Sequence, residues 1–251
     1  MIRSTRRLSL ATGLALGLAA QAAQAQSLLV DGFTSPTAPV PSVFLGTGER
    51  SITELVGDVP GGVRTVYHNV YLNPLPSVSV AVAGNGVLSV SDGVGATSEL
   101  LSLYGAFANG ATSGATSGPH LNLDVRPYDS FELVFRGVQL AMNINVVLYT
   151  ANPLDPANPL YYSTVGVNVA PAIPGGAVTV TLPFAATPDF NFADVDGISL
   201  VLNRAIGPLT GNGYTLDSFS LVTAVPEPGS AALMLGGALL LATRLRRRTG
   251  S

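Results

Sequence analysis

The sequence predicts an all-β protein, with a jelly-roll-like β-sandwich as its main domain. Stretches of alternating apolar and polar residues recur along the chain, as in 78–82 and 178–182, and this alternation is typical of half-buried strands. Glycine, asparagine, aspartate and proline residues separate the stretches and favour turns. Only the two ends of the chain carry long apolar segments that predict helices. Many short strands with turns between them pack as two layered sheets, and this arrangement is a β-sandwich.

The alternating stretches predict twelve strands in chain order. They are Leu28–Phe33, Val63–Leu72, Ser77–Ala83, Val87–Ser91, Glu99–Tyr104, Leu121–Val125, Ser130–Val138, Met142–Thr150, Tyr161–Val169, Ala177–Leu182, Gly197–Asn203 and Tyr214–Val222. Residues 105–119 contain the unit Ala-Thr-Ser-Gly twice, and this composition predicts a long loop.

Residues 1–25 have the organisation of a secretory signal peptide. Arginines at 3, 6 and 7 precede an apolar stretch over 8–20, and Ala23 and Ala25 supply an A-x-A cleavage site before Gln26. This order predicts an exported protein whose first 25 residues are removed. The pair Arg6–Arg7 leaves twin-arginine export open beside the ordinary Sec route.

Residues 225–251 have the layout of a membrane anchor. A proline-rich break is followed by an apolar run over 230–243 and then by a basic end, which predicts a transmembrane helix with a cytoplasmic C-terminus. The break consists of Val225, Pro226, Glu227 and Pro228, and the basic stop of Arg244, Arg246, Arg247 and Arg248. This tail resembles the PEP-CTERM sorting signal of Gram-negative bacteria. The resemblance implies an exosortase-type processing enzyme as a partner and a place in the cell envelope or extracellular matrix.

The composition of residues 26–224, the predicted β-sandwich ectodomain, excludes several kinds of chemistry. The chain has no cysteine and no lysine, so disulfides, lysine Schiff bases and Walker-type phosphate binding are absent. The ectodomain carries five arginines against fourteen acidic residues. This acidic balance disfavours nucleic acid as a partner and is compatible with cation binding.

The two histidines offer little support for catalysis. His68 shares one strand face with Val66 and Val70, which predicts a core histidine rather than a catalytic base. His120 follows Pro119 and is interpreted as a turn residue. No Gly-x-Ser-x-Gly nucleophile motif is present, so a catalytic triad is not expected.

The other face of the same strand offers a candidate ligand-binding site. Tyr67, Asn69 and Tyr71 alternate on it, and the two rings lie roughly 13 Å apart along a strand. They would form a sugar-stacking platform with an amide between them if both rings are exposed. The alternative is two half-buried tyrosines, which strands favour.

Two aspartates offer a candidate metal site. Asp31 lies in the first predicted strand and Asp217 in the last, and the first and last strands are commonly neighbours in jelly rolls. The segments 195–200 and 216–221 resemble the closing strands of carbohydrate-binding-module-like sandwiches. That resemblance implies a structural calcium where the strands meet, and oxygen ligands suit calcium. The alternative is two solvated aspartates at strand ends.

The sequence therefore predicts an exported, membrane-tethered, non-enzymatic protein of the cell envelope or extracellular matrix. The alternative is a carbohydrate-binding β-sandwich module with polysaccharide as its partner. An enzyme would need acidic side chains clustered in a cleft. No cofactor is expected apart from the candidate calcium at Asp31 and Asp217.

Overall fold

The computed structural model describes ten segments of the chain. They are residues 26–35, 41–73, 79–83, 86–106, 119–151, 160–163, 167–172, 176–184, 190–203 and 211–223. The predicted signal peptide, most of the predicted loop 105–119 and the whole predicted sorting tail lie outside these segments. Within them no helix is present that is long and apolar enough to cross a membrane.

The described chain forms fourteen strands. They are β1 (Ser27–Asp31), β2 (Ser42–Phe44), β3 (Arg50–Val56), β4 (Val63–Leu72), β5 (Ser79–Ala83), β6 (Leu88–Asp92), β7 (Thr97–Gly105), β8 (Ser130–Val138), β9 (Met142–Thr150), β10 (Leu160–Ser163), β11 (Val167–Val169), β12 (Val178–Pro183), β13 (Gly197–Leu202) and β14 (Gly213–Val222).

The strands form two antiparallel sheets of seven strands each. Sheet I has the order β12-β8-β14-β6-β5-β2, and β1 also pairs with β14. Sheet II has the order β10-β9-β13-β7-β4-β3, and β11 also pairs with β9. Because neighbouring strands are often distant in sequence, the chain crosses repeatedly from one sheet to the other. The prediction of an all-β sandwich is confirmed.

The hydrophobic core lies between the two sheets. Sheet I contributes Phe131, Leu133 and Phe219, and sheet II contributes Leu148 and Leu200, all of them fully buried. Alternation in β8 and β9 sends every second side chain into this layer, as the period of a strand requires. Burial of such side chains, about 1.5–3 kcal/mol each, stabilises the sandwich.

Three predicted strands match the structure residue for residue, and others differ. Val63–Leu72, Ser130–Val138 and Met142–Thr150 are exact. The predicted strand Leu121–Val125 is wrong, because this segment makes a single bridge between Leu123 and Val195. The predicted strand Tyr161–Val169 is two strands, β10 and β11, which follow one another along β9. Strands β2 and β3 were not predicted.

The first and last strands of the sandwich are neighbours, as the sequence predicted. Ser27 is the register partner of Val222, and the pairing continues to Asp31 opposite Phe219. The sandwich itself comprises Ser27–Val222, while Gln26 and Thr223 belong to a second unit made of the terminal segments. Within that unit the Thr223 amide donates a hydrogen bond of 2.9 Å to the Gln26 carbonyl.

Candidate functional site

The outward face of sheet II carries the residues predicted to bind a ligand. In β4, Val66 and Val70 point to the buried side, so that Tyr67 and Asn69 lie on the opposite face. Their register partners on β7 are Leu101 and Glu99, and those on β3 are Ile52 and Arg50.

Tyr71 is the exposed aromatic residue of this face. The pairing of β4 with β7 shifts between Val70 and Leu72, so Tyr71 is the extra residue of a β-bulge, a feature that redirects a side chain. Its side chain is 48% exposed. The Tyr71 hydroxyl donates a hydrogen bond of 3.1 Å to Oε1 of Glu99, and Asn69 Nδ2 donates one of 3.3 Å to the same oxygen. We call Asn69, Tyr71 and Glu99 the outer patch.

Glu99 anchors the outer patch because its carboxylate accepts from two neighbours at once. The residue is 8% exposed although it lies on the outward face of the sheet. A carboxylate that accepts two hydrogen bonds on a rigid strand fixes the orientation of both donors. The Tyr71 hydroxyl is therefore fixed at the surface by the Glu99 carboxylate.

Tyr67 does not join Tyr71 in an exposed platform. The ring of Tyr67 is fully buried, and the Arg50 guanidinium lies over it with 4.6 Å between its carbon and the ring centroid. Arg50 is the partner of Asn69 on β3, which places it diagonally across from Tyr67, a position from which long side chains reach. The predicted platform of two exposed tyrosines is therefore wrong, because the Arg50 guanidinium covers the ring of Tyr67. Among the described residues, the Tyr67 hydroxyl has no hydrogen-bond partner.

Asp31 lies in the interior and is paired with a cation. Its carboxylate forms an ion pair with Arg64, accepts a hydrogen bond of 2.8 Å from the Tyr104 hydroxyl and accepts another of 2.6 Å from the Phe33 amide. The register of β1 shifts between Leu29 and Asp31, and this bulge turns both Val30 and Asp31 inward. Burial, followed by the charge of Asp31, raises the pKa of Tyr104 well above its usual value.

Asp217 lies on the outward face of sheet I. Its Oδ1 is 2.5 Å from the guanidinium of Arg136, a side chain exposed on β8. The register of β14 shifts between Leu216 and Ser218, so Asp217 is itself the extra residue of a bulge. Asp31 and Asp217 thus lie on opposite faces of one sheet, each with its own arginine. The calcium clamp that the sequence suggested is therefore wrong.

His68 is a core histidine, as predicted. It is 1% exposed, its Nδ1 is 2.8 Å from Ser42 Oγ, and its ring lies 5.2 Å from that of Phe44. Burial lowers the pKa of His68 to about 4, and the charge of Asp92 partly opposes this shift. The imidazole is neutral at physiological pH, and it packs strands β2 and β4 together.

His120 belongs to a second polar cluster at the opposite end of sheet II. Its Nδ1 is 2.9 Å from Oδ1 of Asp196, whose other carboxylate oxygen accepts from the Ala151 amide at 2.7 Å. The His120 side chain is exposed and precedes the bridge at Leu123. Across the ten described segments, no group of three or more histidine and acidic side chains is placed to hold a metal ion.

Three functional features were missed by sequence reasoning. Arg50 was not assigned to a strand, so its position over Tyr67 was not foreseen. Glu99 was predicted to begin a strand, but its role in the outer patch depends on its register with Asn69. Arg64, Val66 and His68 lie at every second position of β4. This spacing predicts that Arg64 is on the same buried face, where its charge requires a carboxylate partner.

The chain is weakly similar to several solved structures. The family 11 carbohydrate-binding module of the cellulosomal cellulase Lic26A-Cel5E from Clostridium thermocellum has a TM-score of 0.37 and 10% identity, covering 81% of this chain and 98% of that one. The same family module in complex with a β-1,3-1,4-mixed-linked tetrasaccharide has a TM-score of 0.37 and 11% identity, covering 80% and 98%. The enzymatically active domain of tailspike protein 4 from bacteriophage CBA120 has a TM-score of 0.30 and 15% identity, covering 76% and 20%.

No protein-family model and no curated protein sequence matches the chain. TM-scores this low assign neither a ligand nor an activity to the present chain.

Proposed function

We propose that the chain is an exported, membrane-tethered, non-enzymatic protein of jelly-roll type that binds polysaccharide through its outer patch. The observation that carries the proposal is the position of Tyr71. Its ring is about half exposed on the face of a rigid sheet, and its hydroxyl is fixed by Glu99 beside Asn69.

The chemistry of the outer patch suits a sugar ring. A pyranose has an apolar face of C–H groups, which packs on an aromatic ring, and an edge of hydroxyl groups, which bind carboxylate and amide side chains. Tyr71 supplies the ring. Glu99 accepts a hydrogen bond from the Tyr71 hydroxyl, and Asn69 donates to the same Glu99 oxygen. A flat arrangement of this kind binds a polymer along its length rather than enclosing a small molecule.

The charge of the ectodomain favours a neutral polymer. Residues 26–224 carry five arginines against fourteen acidic side chains, and one of those acids is Glu99 at the centre of the patch. The negative charge of the ectodomain would repel an anionic polysaccharide or a nucleic acid.

The environment of several carboxylates supports a binding role rather than hydrolysis. Glycoside hydrolysis uses two carboxyl groups that flank the substrate. Asp31, Asp124 and Asp217 are each paired with an arginine. The hydrogen bond from Arg126 lowers the pKa of Asp124, which disfavours a general acid there.

The tether is proposed from the sequence of residues 225–251. The Val-Pro-Glu-Pro break, apolar run and arginine stop would anchor the ectodomain outside the inner membrane until an exosortase-type enzyme acts on the tail. Their structure lies outside the described residues.

The test is retention of the full-length protein, in detergent, on insoluble neutral and anionic polysaccharides. Tyr71→Ala is expected to lower the affinity for a neutral β-glucan by about tenfold, the loss of one aromatic contact. Tyr149→Ala is the matched control, since Tyr149 is partly exposed on β9 of the same sheet. Two strands separate it from β4, and its partners Gly197 and Gly105 lie at the opposite end of the strands from Tyr71, which gives a separation of about 28 Å. Unchanged retention of Tyr71→Ala beside the wild type would overturn the proposal.

A further inference from the structure

Both ends of the sandwich's chain leave from one end of the fold. Ser27, the first residue of β1, pairs with Val222, the last residue of β14, and Val222 also pairs with Ser130 on its other side. We call this end of the sandwich the tail end, because the proposed membrane tail follows Val222 in the sequence.

The opposite end of the sandwich is made of loops, and we call it the tip. It comprises the loops 45–49, 93–96 and 139–141 and the segment 71–73, in which β4 ends. The Gln139 amide donates to the Gly213 carbonyl at the start of β14, and Ser91 pairs with Gly213. On sheet II, Leu72 pairs with Thr97, directly after loop 93–96. The loops are therefore neighbours at one end of both sheets.

Loop 45–49 joins the tip through two hydrogen bonds. The Gly48 amide donates to the Val70 carbonyl at 2.8 Å, and the Asn73 amide donates to Thr47 Oγ1 at 2.8 Å. Strand β2, which leads into this loop, ends at Phe44 opposite Ser79, and Ser79 pairs with Asp92 before loop 93–96.

The tip lies far from the tail end. Strand β14 runs from Gly213 to Val222, and nine residue steps of an antiparallel strand span about 30 Å. The tip and the tail end therefore lie at opposite ends of the sandwich.

The tip presents apolar side chains beside the outer patch. The exposed ones are Leu45, Leu72, Val94 and Leu140, of which Val94 is 80% exposed. Tyr71 lies between this apolar surface and Glu99, because it precedes Leu72 in the same bulge. Exposed apolar side chains at one end of a fold indicate an interaction surface.

We propose that the tip extends the outer patch into one continuous surface for a neutral polysaccharide outside the cell. This inference rests on the proposed function and adds where the polymer lies. The apolar side chains of the tip would face the C–H surfaces of successive sugar units, while Glu99 and Asn69 bind hydroxyl groups of one unit. The acidic charge of the ectodomain disfavours an anionic lipid surface at the tip.

The absence of cysteine from the chain allows a direct test with the full-length protein in detergent. Val94→Cys places a unique thiol at the tip. Val56→Cys places one on another exposed position, 59% exposed, which pairs with Val63 at the other end of sheet II. Each variant is labelled with a bulky maleimide-polyethylene glycol, and its retention on insoluble neutral β-glucan is compared with that of the unlabelled variant.

The label at position 94 is expected to lower the apparent affinity for the glucan by about tenfold or more, and the label at position 56 to leave it within about twofold. Equal loss at both positions, or no loss at position 94, overturns the inference while the proposed function stands. Absence of glucan binding by the unlabelled proteins overturns the proposed function itself. A dimer that the position-94 label dissociates would identify the tip as a self-association surface and would also overturn the inference.

Discussion

Asp31 and Arg64 form an ion pair in the interior that joins the two sheets. Asp31 belongs to β1 of sheet I and Arg64 to β4 of sheet II, and neither side chain is more than 1% exposed. The Arg64 guanidinium also donates to the Thr34 carbonyl at 2.8 Å, and the Tyr104 hydroxyl donates to Asp31 at 2.8 Å. The first strand of the sandwich therefore supplies the countercharge of a fully buried cation.

Asp31→Asn is expected to destabilise the protein by about 3–5 kcal/mol. The substitution keeps the size of the side chain but leaves the buried Arg64 charge without its partner, and the loss of one member of such a pair costs this much. The measurement is denaturant unfolding of the wild type and the variant at pH 7. A difference below about 1 kcal/mol would show that Arg64 does not depend on Asp31.

Asp217→Asn is the matched control for that measurement. Asp217 also pairs with an arginine, but the pair is partly exposed on the outward face of sheet I. Pairs of this kind contribute about 0–1 kcal/mol, so the variant is expected to unfold close to the wild type.

The strands that were predicted exactly have long and regular alternation. Strand β9 alternates between buried and partly buried side chains along its whole length, and β8 does so over most of its length. Strand β2 has only three residues, which is too short for a period to be recognised. Strand β3 carries Arg50 and Glu54 on its exposed side because it is an edge strand, and charged residues lower the apparent strand propensity.

The candidate site was only partly predictable because bulges break the alternation on which sequence reasoning depends. The bulge beside Leu29 turns Asp31 into the core, and the one at Asp217 keeps that residue outside. Strict alternation with a period of two therefore does not predict on which face of the sheet Asp31 or Asp217 lies. The outward position of Tyr67 and Asn69 on β4 could be predicted from the local alternation of that strand alone. The contact between Arg50 and Tyr67 could not, because it depends on the register of β3 with β4.

Stability is expected to fall as the pH decreases from about 6.5 towards 4, because of His68. Burial lowers the pKa of this histidine to about 4 in the folded state, below the 6.5 of the unfolded state. Between these values the unfolded chain binds the proton and the folded chain does not, so acid favours unfolding. The contribution lost between pH 7 and pH 5 is about 2 kcal/mol.

Unfolding of the wild type and of His68→Gln across pH 5–7 measures this contribution. The difference in unfolding free energy between the two proteins is expected to change with pH, with the wild type losing more on acidification. Parallel curves for the two proteins would mean that His68 does not titrate in this way.

Gly197→Ala is expected to destabilise the sandwich by about 3 kcal/mol or more. An added Cβ would lie 1.9 Å from the carbonyl oxygen of Ala106, and a clash with the backbone cannot be relieved by turning a side chain. The control is Gly32→Ala, whose nearest contact of 3.5 Å to Leu29 is ordinary. Thermal melting compares the two, and equal melting temperatures would contradict the close approach of β13 to residue 106.

Deletion of residues 226–251 is expected to release the ectodomain from the membrane. The apolar run over 230–243 and the arginines that follow it supply the proposed anchor, and the arginines favour a cytoplasmic C-terminus. The sandwich Ser27–Val222 is a unit separate from this tail, so the deletion leaves its strands intact. Fractionation of cells that express the two forms gives the result, with Tyr71→Ala in the full chain as the control that keeps the anchor. Membrane association of the truncated form equal to that of the full chain would show that the tail is not the tether.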